Sequence, residues 1–311
     1  MKNSLHARPR YWLELGASLL LAYGIYSQRN MLGRSLSALG NAALLPVLLC
    51  FSLTWLLFLL SATSYRLLAS RQLSLRQIML AHLAAAGPGR ILPGGAGQMS
   101  IGTLYLTKKG MTLPQAIAVA VGNNIIGCIT NVLLLAVVYV KDPHLLDSLH
   151  FSGRSMLVLI VLCSFVAAIV VIARRNKSIR KNTNGTSKVL RHVFQRLRKQ
   201  PVTAISVIAI MLATTLTNSL MLYFAAHSVD VPISLGASII AMSTGVAIGG
   251  LIPTPGGIGG VEAGLVASLY ALGFQLEAAT SAALLYRFAT YILPFVPGIG
   301  AYIYLRQRKL L

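Results

Sequence analysis

Long apolar runs separated by short basic segments dominate the chain. Runs at residues 11–26, 42–63, 114–140, 155–173, 202–226 and 278–305 predict six transmembrane helices. About twenty apolar residues, rising 1.5 Å each, cross a hydrocarbon core of about 30 Å. Two further apolar regions do not fit that template. Residues 77–107 are too short for two crossings, and the Gly/Pro cluster A-G-P-G-R-I-L-P-G-G-A-G-Q splits them near the middle. Residues 232–273 are split by L-I-P-T-P-G-G-I-G-G-V-E-A-G-L-V-A in the same way. Each region is expected to form a re-entrant hairpin of two half-helices. Because 234–252 could nearly span alone, a full crossing stays open for the second.

The two breaks form a repeat. Pro93-Gly94-Gly95-Ala96-Gly97 and Pro255-Gly256-Gly257-Ile258-Gly259 share the pattern P-G-G-x-G, and a glycine lies nine residues past each Pro, at Gly102 and Gly264. Gly110 and Gly273 then each precede a Leu by three residues, before an Ala-rich run. The fold predicted is therefore all-α and polytopic: six spans and two hairpins in an inverted repeat. The halves cover about 42–140 and 202–305 of one membrane domain. Broken helices that meet at the midplane between inverted halves are a substrate-binding architecture.

Composition agrees, and charge orients the chain. Of 311 residues, 56% are hydrophobic and 11% charged, and 27 Lys+Arg against 6 Asp+Glu give a net charge of +21. In a soluble protein that excess would suggest nucleic acid, but here it fits basic cytoplasmic loops. With both termini inside, twenty-one of the 27 basic residues fall on the cytoplasmic side and four outside. Arg90 and Arg287 remain within the membrane. Residues 174–200 form a basic loop without an acid. It either docks on anionic lipid headgroups or only sets topology.

Candidate chemistry sits where polar groups are expensive. Glu262, in the second break, is a carboxylate at membrane depth unless that break is an interfacial turn with a capping Glu. A half-helix starting after each P-G-G-x-G would aim N–H groups and its positive dipole end inward, toward phosphate or carboxylate. The substrate-binding candidates are Arg90, Gly94, Gly95, Gly97, Gln98, Pro255, Gly256, Gly257, Gly259, Gly260, Glu262 and Arg287. Arg287 either forks onto phosphate or pairs with Glu262. Asn123, Asn124 and Asn131 either bond neighbouring helices or face a substrate path. Cys50, Cys128 and Cys163 have no metal or disulfide spacing, and the scattered histidines make no catalytic pattern, so no cofactor, no metal and no enzymatic activity are expected.

The run L-I-P-T-P-G-G-I-G-G-V-E-A-G-L at 251–265, with A-L-L-Y-R-F-A-T-Y-I-L-P at 283–294, resembles the lysylphosphatidylglycerol synthase transmembrane region family. The resemblance extends more weakly to 87–110. It implies a flippase-like protein of the bacterial inner membrane that moves aminoacylated phosphatidylglycerol, hopanoid or polyprenyl-linked lipids between leaflets. A separate lipid-synthesising enzyme is the implied partner. The implied site residues are Pro255, Gly256, Gly257, Gly259, Glu262 and Arg287. Gln98 and Asn123/Asn124 stand where many relatives carry charge, which weakens a proton relay in the first half. No aminoacyl-transfer domain is expected after Arg306. An ion-coupled small-solute transporter remains an alternative on broken-helix grounds, and a membrane-embedded lipid-modifying enzyme a more distant one.

Overall fold

The computed structural model describes residues 40, 42–69, 72–91, 96–142, 189–190, 193–195, 197–250, 257 and 259–311. The predicted spans at 11–26 and 155–173 lie outside them. Among the described residues there is no β-strand.

Helices α1 (Leu44–Leu68), α4 (Leu113–Lys141) and α5 (Pro201–His227) are long and apolar enough to cross a membrane. A fourth such segment, Leu276–Gln307, is built from α8 (Leu276–Arg287), a π-helical turn (Phe288–Ile292) and α9 (Phe295–Gln307). Four short helices complete the set: α2 (Leu75–Ala86), α3 (Ala96–Lys108), α6 (Leu235–Gly250) and α7 (Gly260–Ala271). A 3₁₀ turn, Pro88–Ile91, follows α2. Leu44, Val132, Val140, Val202 and Ile205 are exposed on the long helices, as lipid-facing side chains are. Helix-to-helix contacts are made instead by small residues, with Ala62, Ala84, Ala116, Ala120, Ala226, Ala282 and Ala289 fully buried.

Local sequence explains the ends. α4 begins with a capping box in which the Thr112 N–H donates to Gln115 Oε1 at 2.9 Å, and Pro114 sits in its first turn, where a missing N–H costs nothing. α3 and α7 end alike. Gly110 (φ 84°) and Gly273 (φ 91°) are left-handed, Met111 N–H donates to Leu106 O, and Phe274 N–H donates to Leu269 O. Both are six-to-one Schellman closures that need glycine. Leu113 and Leu276 then open the next helix in each copy. The paired glycines of the sequence are thus the same structural device twice.

Each copy runs long helix, two short helices, long helix. α2 packs on α3, α6 packs on α7, and α1 packs on α5. The short pairs open toward opposite ends. Leu73 and Met111, flanking the first pair, cluster with Leu68, Leu310 and Leu311, whereas Val231 and Phe274, flanking the second, cluster with Ala42 and Val229. The Ala43 N–H donates to Ser228 O at 2.8 Å at that second end. In the α6–α7 pair, Gly249 lies against the Val261 backbone and Gly264 against the Gly245 carbonyl, so the helices touch backbone to backbone. Gly298 on α9 meets α2 with equal closeness: an added Cβ would lie 2.6 Å from both Gly87 N and Leu83 O.

One expectation is corrected. The end of the basic segment at 174–200 is not simply a polar loop: residues 189–190, 193–195 and 197–199 are helical, and Val193, Phe194 and Leu197 pack against the core. Leu190 and Val193 face Gly122 of α4. The apolar residues at 189, 190, 193, 194 and 197 have amphipathic spacing, which the surrounding charge obscures.

Candidate functional site

Polar side chains from α1, α2, α4, α5, α6 and α8 converge on one cavity of about 620 Å³. Asn123, Asn124 and Asn131 of α4, Thr214, Thr215 and Asn218 of α5, and Ser243 of α6 make much of its wall. Arg90 and Arg287 also reach it, from opposite halves of the chain. Such a lining would be ordinary on a surface. Among helices whose outer faces are Leu, Ile and Val it marks a hydrated path or a ligand site.

The wall is held by hydrogen bonds between helices. The Ser243 hydroxyl donates to Asn131 Oδ1 at 2.7 Å, joining α6 to α4, and Tyr286 OH donates to Asn218 Oδ1 at 3.2 Å, joining α8 to α5. Ser64 of α1 bonds Asn123 of α4. The asparagines therefore bridge helices and also face the cavity. His82, also in the lining, packs edge-on against Tyr65 with ring centroids 4.5 Å apart.

The arginines have different partners. Arg90 donates from Nη1 to Tyr291 O at 2.5 Å and from Nη2 to Thr290 O at 2.6 Å. The reason lies in the last span. In an α-helix the Thr290 carbonyl would accept the N–H of residue 294, which is a proline and has none. The π-turn at Phe288–Ile292 and Pro294 together open this stretch, and side chains from the first half close it. Thr54 of α1 donates to the neighbouring Ala289 carbonyl at 3.1 Å.

Arg287 is paired in the way one of the two sequence readings expects. Its Nε donates to Glu262 Oε1 at 2.7 Å. The second carboxylate oxygen, Oε2, is buried without a hydrogen-bond partner among the described residues. Tyr291 links the two arginines: its ring centroid lies 4.2 Å from the Arg90 guanidinium carbon and 4.6 Å from that of Arg287. Its place one helical turn beyond Arg287 was a readable signal that sequence reasoning left unused.

The glycine turns are partly described. Gly94, Gly95, Pro255 and Gly256 lie outside the described residues, and of Gln98 only the backbone in α3 is described. Gly97 lies against the Gly89 carbonyl, so an added side chain would strike the 3₁₀ turn that follows α2. Gly257 (φ 70°) and Gly259 (φ 78°) are left-handed, as a turn reserved for glycine requires. Gly260 is the buried first residue of α7. The Val261 and Ala263 N–H groups donate to the Gly257 and Gly259 carbonyls, so these two amides are already used. This helix end therefore offers a ligand fewer donors than the sequence suggests. What it places firmly is Glu262, in the first turn, where the dipole favours a carboxylate. Among the described residues no group of three or more His, Cys, Asp or Glu is placed to hold a metal.

These features define an all-α, multi-pass membrane protein built around a polar cavity with two buried guanidinium groups. The chain belongs to the lysylphosphatidylglycerol synthase TM region family, whose family model matches residues 12–298. It is a membrane protein related to lipid metabolism or transport. No curated protein matches it.

Proposed function

We propose that this protein is a lipid translocase that passes a phosphate-bearing headgroup between leaflets through the Arg90–Arg287 cavity. The observation that carries the reading is that cavity itself: polar, about 620 Å³, and lined by both halves of an otherwise apolar bundle. A phosphate at this depth needs donors in fixed positions, and guanidinium forks supply them. The acyl chains would remain in the hydrocarbon. On this reading the short helix pairs are re-entrant, the halves form an inverted repeat, and rocking of one half against the other alternates access. The Ser243–Asn131 bond and the Arg90 bonds to Thr290 and Tyr291 cross between halves, so they break and reform in the cycle. Catalysis of bond formation or cleavage has no part in it.

The proposed setting is the bacterial inner membrane with both termini cytoplasmic. Arg66, Arg76, Lys108, Lys109, Arg198, Lys199, Arg306, Arg308 and Lys309 all belong to segments at the end marked by Leu68, Met111 and Leu310, and Asp230 and Glu277 to the other end. That asymmetry matches the positive-inside rule. The basic end, with 174–200, would lie on anionic headgroups and near a separate enzyme that makes the lipid.

The test is reconstitution in liposomes carrying fluorescent phosphatidylglycerol in both leaflets, with outer-leaflet dye quenched by dithionite. Translocation predicts loss of the protected half in protein-containing vesicles and not in empty ones. Equal protection in both would overturn the proposal. Uptake of water-soluble organic anions in the same vesicles would instead favour an ion-coupled solute transporter.

A further inference from the structure

We propose that the π-turn of the last span is the hinge of the transport cycle, and that Arg90 is the positioning residue that locks it until a headgroup phosphate draws the guanidinium away; the inference rests on the lipid-translocase reading above. Packing divides this span in two. α8 packs on α5 and α7, with Ala279, Ala282 and Leu285 in one core cluster beside Leu265 and Leu269. α9 packs on α2, with Ala301 and Leu305 in another cluster beside Leu83 and Ala84. The α2–α9 contact is backbone to backbone at Gly87 and Gly298, so α9 is tied to the first copy although it follows the second in sequence. Within this span, movement of one core against the other falls on the residues between α8 and α9.

That joint is built to bend. Leu293 N–H donates to Phe288 O at 2.9 Å, a π-type closure, and Pro294 has no N–H to give the Thr290 carbonyl. Sharp changes of helix direction occur at π-bulges and prolines, and hinges are a few element-terminal residues of this kind. Three consecutive carbonyls at the joint accept side chains from the first copy: Ala289 from Thr54 at 3.1 Å, and Thr290 and Tyr291 from the Nη atoms of Arg90 at 2.6 and 2.5 Å. Arg90 itself belongs to the 3₁₀ turn after α2, the helix that carries α9. Its fork on both carbonyls fixes the angle between α8 and α9.

Arg90 also lines the cavity, as does Thr290. A phosphodiester there offers two oxygens that share a negative charge and match the fork, and such acceptors hold a guanidinium more strongly than neutral carbonyls do. Headgroup and hinge thus compete for one side chain. Without lipid the fork stays on the carbonyls, because the Thr290 carbonyl has no donor at the α-helical position of its own span and an unmade buried bond is costly. With lipid the fork moves to the phosphate and the hinge is released, so the headgroup shifts the equilibrium by its preference for the released state. Plain and aminoacylated headgroups share the phosphodiester, so the device serves either.

The experiment measures the hinge directly in the full chain. Cys50, Cys128 and Cys163 are replaced by alanine, and nitroxides are attached at Leu276→Cys on α8 and Ile303→Cys on α9, both exposed positions. Double electron–electron resonance in dodecylmaltoside reads their separation with dihexanoyl-phosphatidylglycerol, with dihexanoylglycerol, which lacks the phosphate, and with glycerophosphoglycerol, which lacks the chains. This parent protein should show one distance alone and a second with phosphatidylglycerol, and dihexanoylglycerol should leave the first unchanged. Arg90→Gln should raise the ratio of second to first distance without lipid by at least about tenfold, the loss of one charged hydrogen bond, and should no longer respond to lipid. A residue needed only for stability would lower the melting temperature and leave both distances in place. Pro294→Ala carries the test should Arg90→Gln fail to fold: it returns an N–H to Thr290 and should abolish the response to lipid with Arg90 present. One unchanged distance in the parent with phosphatidylglycerol, or an equal response to dihexanoylglycerol, would overturn the inference. So would parental behaviour in Arg90→Gln, or in Pro294→Ala where Arg90→Gln does not fold. Translocation by the same parent in liposomes would then leave the translocase reading intact. A response to glycerophosphoglycerol equal to that for the lipid would keep the hinge and refute the lipid as its trigger. Absence of both the distance change and translocation would refute both.

Discussion

Removing either charge of the Glu262–Arg287 pair should destabilise the protein far more than removing both. The two side chains are 13% and 9% exposed and joined by one charged hydrogen bond of 2.7 Å. At about 4 Å and an effective dielectric near 20, opposite unit charges attract by about 4 kcal/mol. That attraction offsets the desolvation of both groups. In Glu262→Gln the Arg287 charge stays buried, and in Arg287→Gln the carboxylate loses the partner of Oε1 when Oε2 has none among the described residues. A cost of about 3–5 kcal/mol is expected for each single variant. The double variant buries two neutral amides that can bond one another, so it should lose much less than the sum, with a coupling energy of about 2–3 kcal/mol. Reversible unfolding in mixed micelles of dodecylmaltoside and SDS would supply the four stabilities of the cycle. Additive losses would refute the pairing. Single variants as stable as wild type would show that the site is hydrated enough to make the bond dispensable.

Other expectations follow from close contacts and backbone conformation. Gly249→Leu should force α6 from α7, because its Cβ would collide with the Val261 backbone, and overpacking of this kind costs about 1–3 kcal/mol; thermal melting in detergent checks it. At Gly259 nothing lies within 4 Å of an added Cβ, yet φ is 78°, so Gly259→Leu should cost about 1–3 kcal/mol through backbone strain and should slow lipid scrambling in liposomes while insertion is kept. Full activity in that variant would remove the second break from the transport path. For orientation, single cysteines replacing Arg308 and Asp230 should react with an impermeant maleimide from opposite sides of the membrane, with Arg308→Cys protected in intact cells. Labelling of both from one side would contradict the arrangement of the helix ends.

The sequence by itself determined the membrane class, the order of long and short helices among the described residues, and the paired positions of Gly110 and Gly273 on which two helices close. These depend on local causes: apolar length against bilayer thickness, and the φ > 0 that glycine alone takes without strain. It also singled out Glu262 and Arg287, because ionisable groups at membrane depth are conspicuous. Arg90 was visible for the same reason, but its partners were not. They are backbone carbonyls some two hundred residues away, freed by Pro294 and the π-turn, and carbonyls leave no mark in a sequence. The amphipathic face at 189–197 was hidden too, since a high density of Lys and Arg outweighs a short apolar stripe until the core it packs against is known. The cavity was decided wholly by tertiary structure. Its wall is made of Asn, Thr and Ser from α4, α5 and α6, of which the sequence raised only Asn123, Asn124 and Asn131 and left open which way they face. Only the packing of small residues, which fixes how far each helix turns toward its neighbours, brings them to face one another.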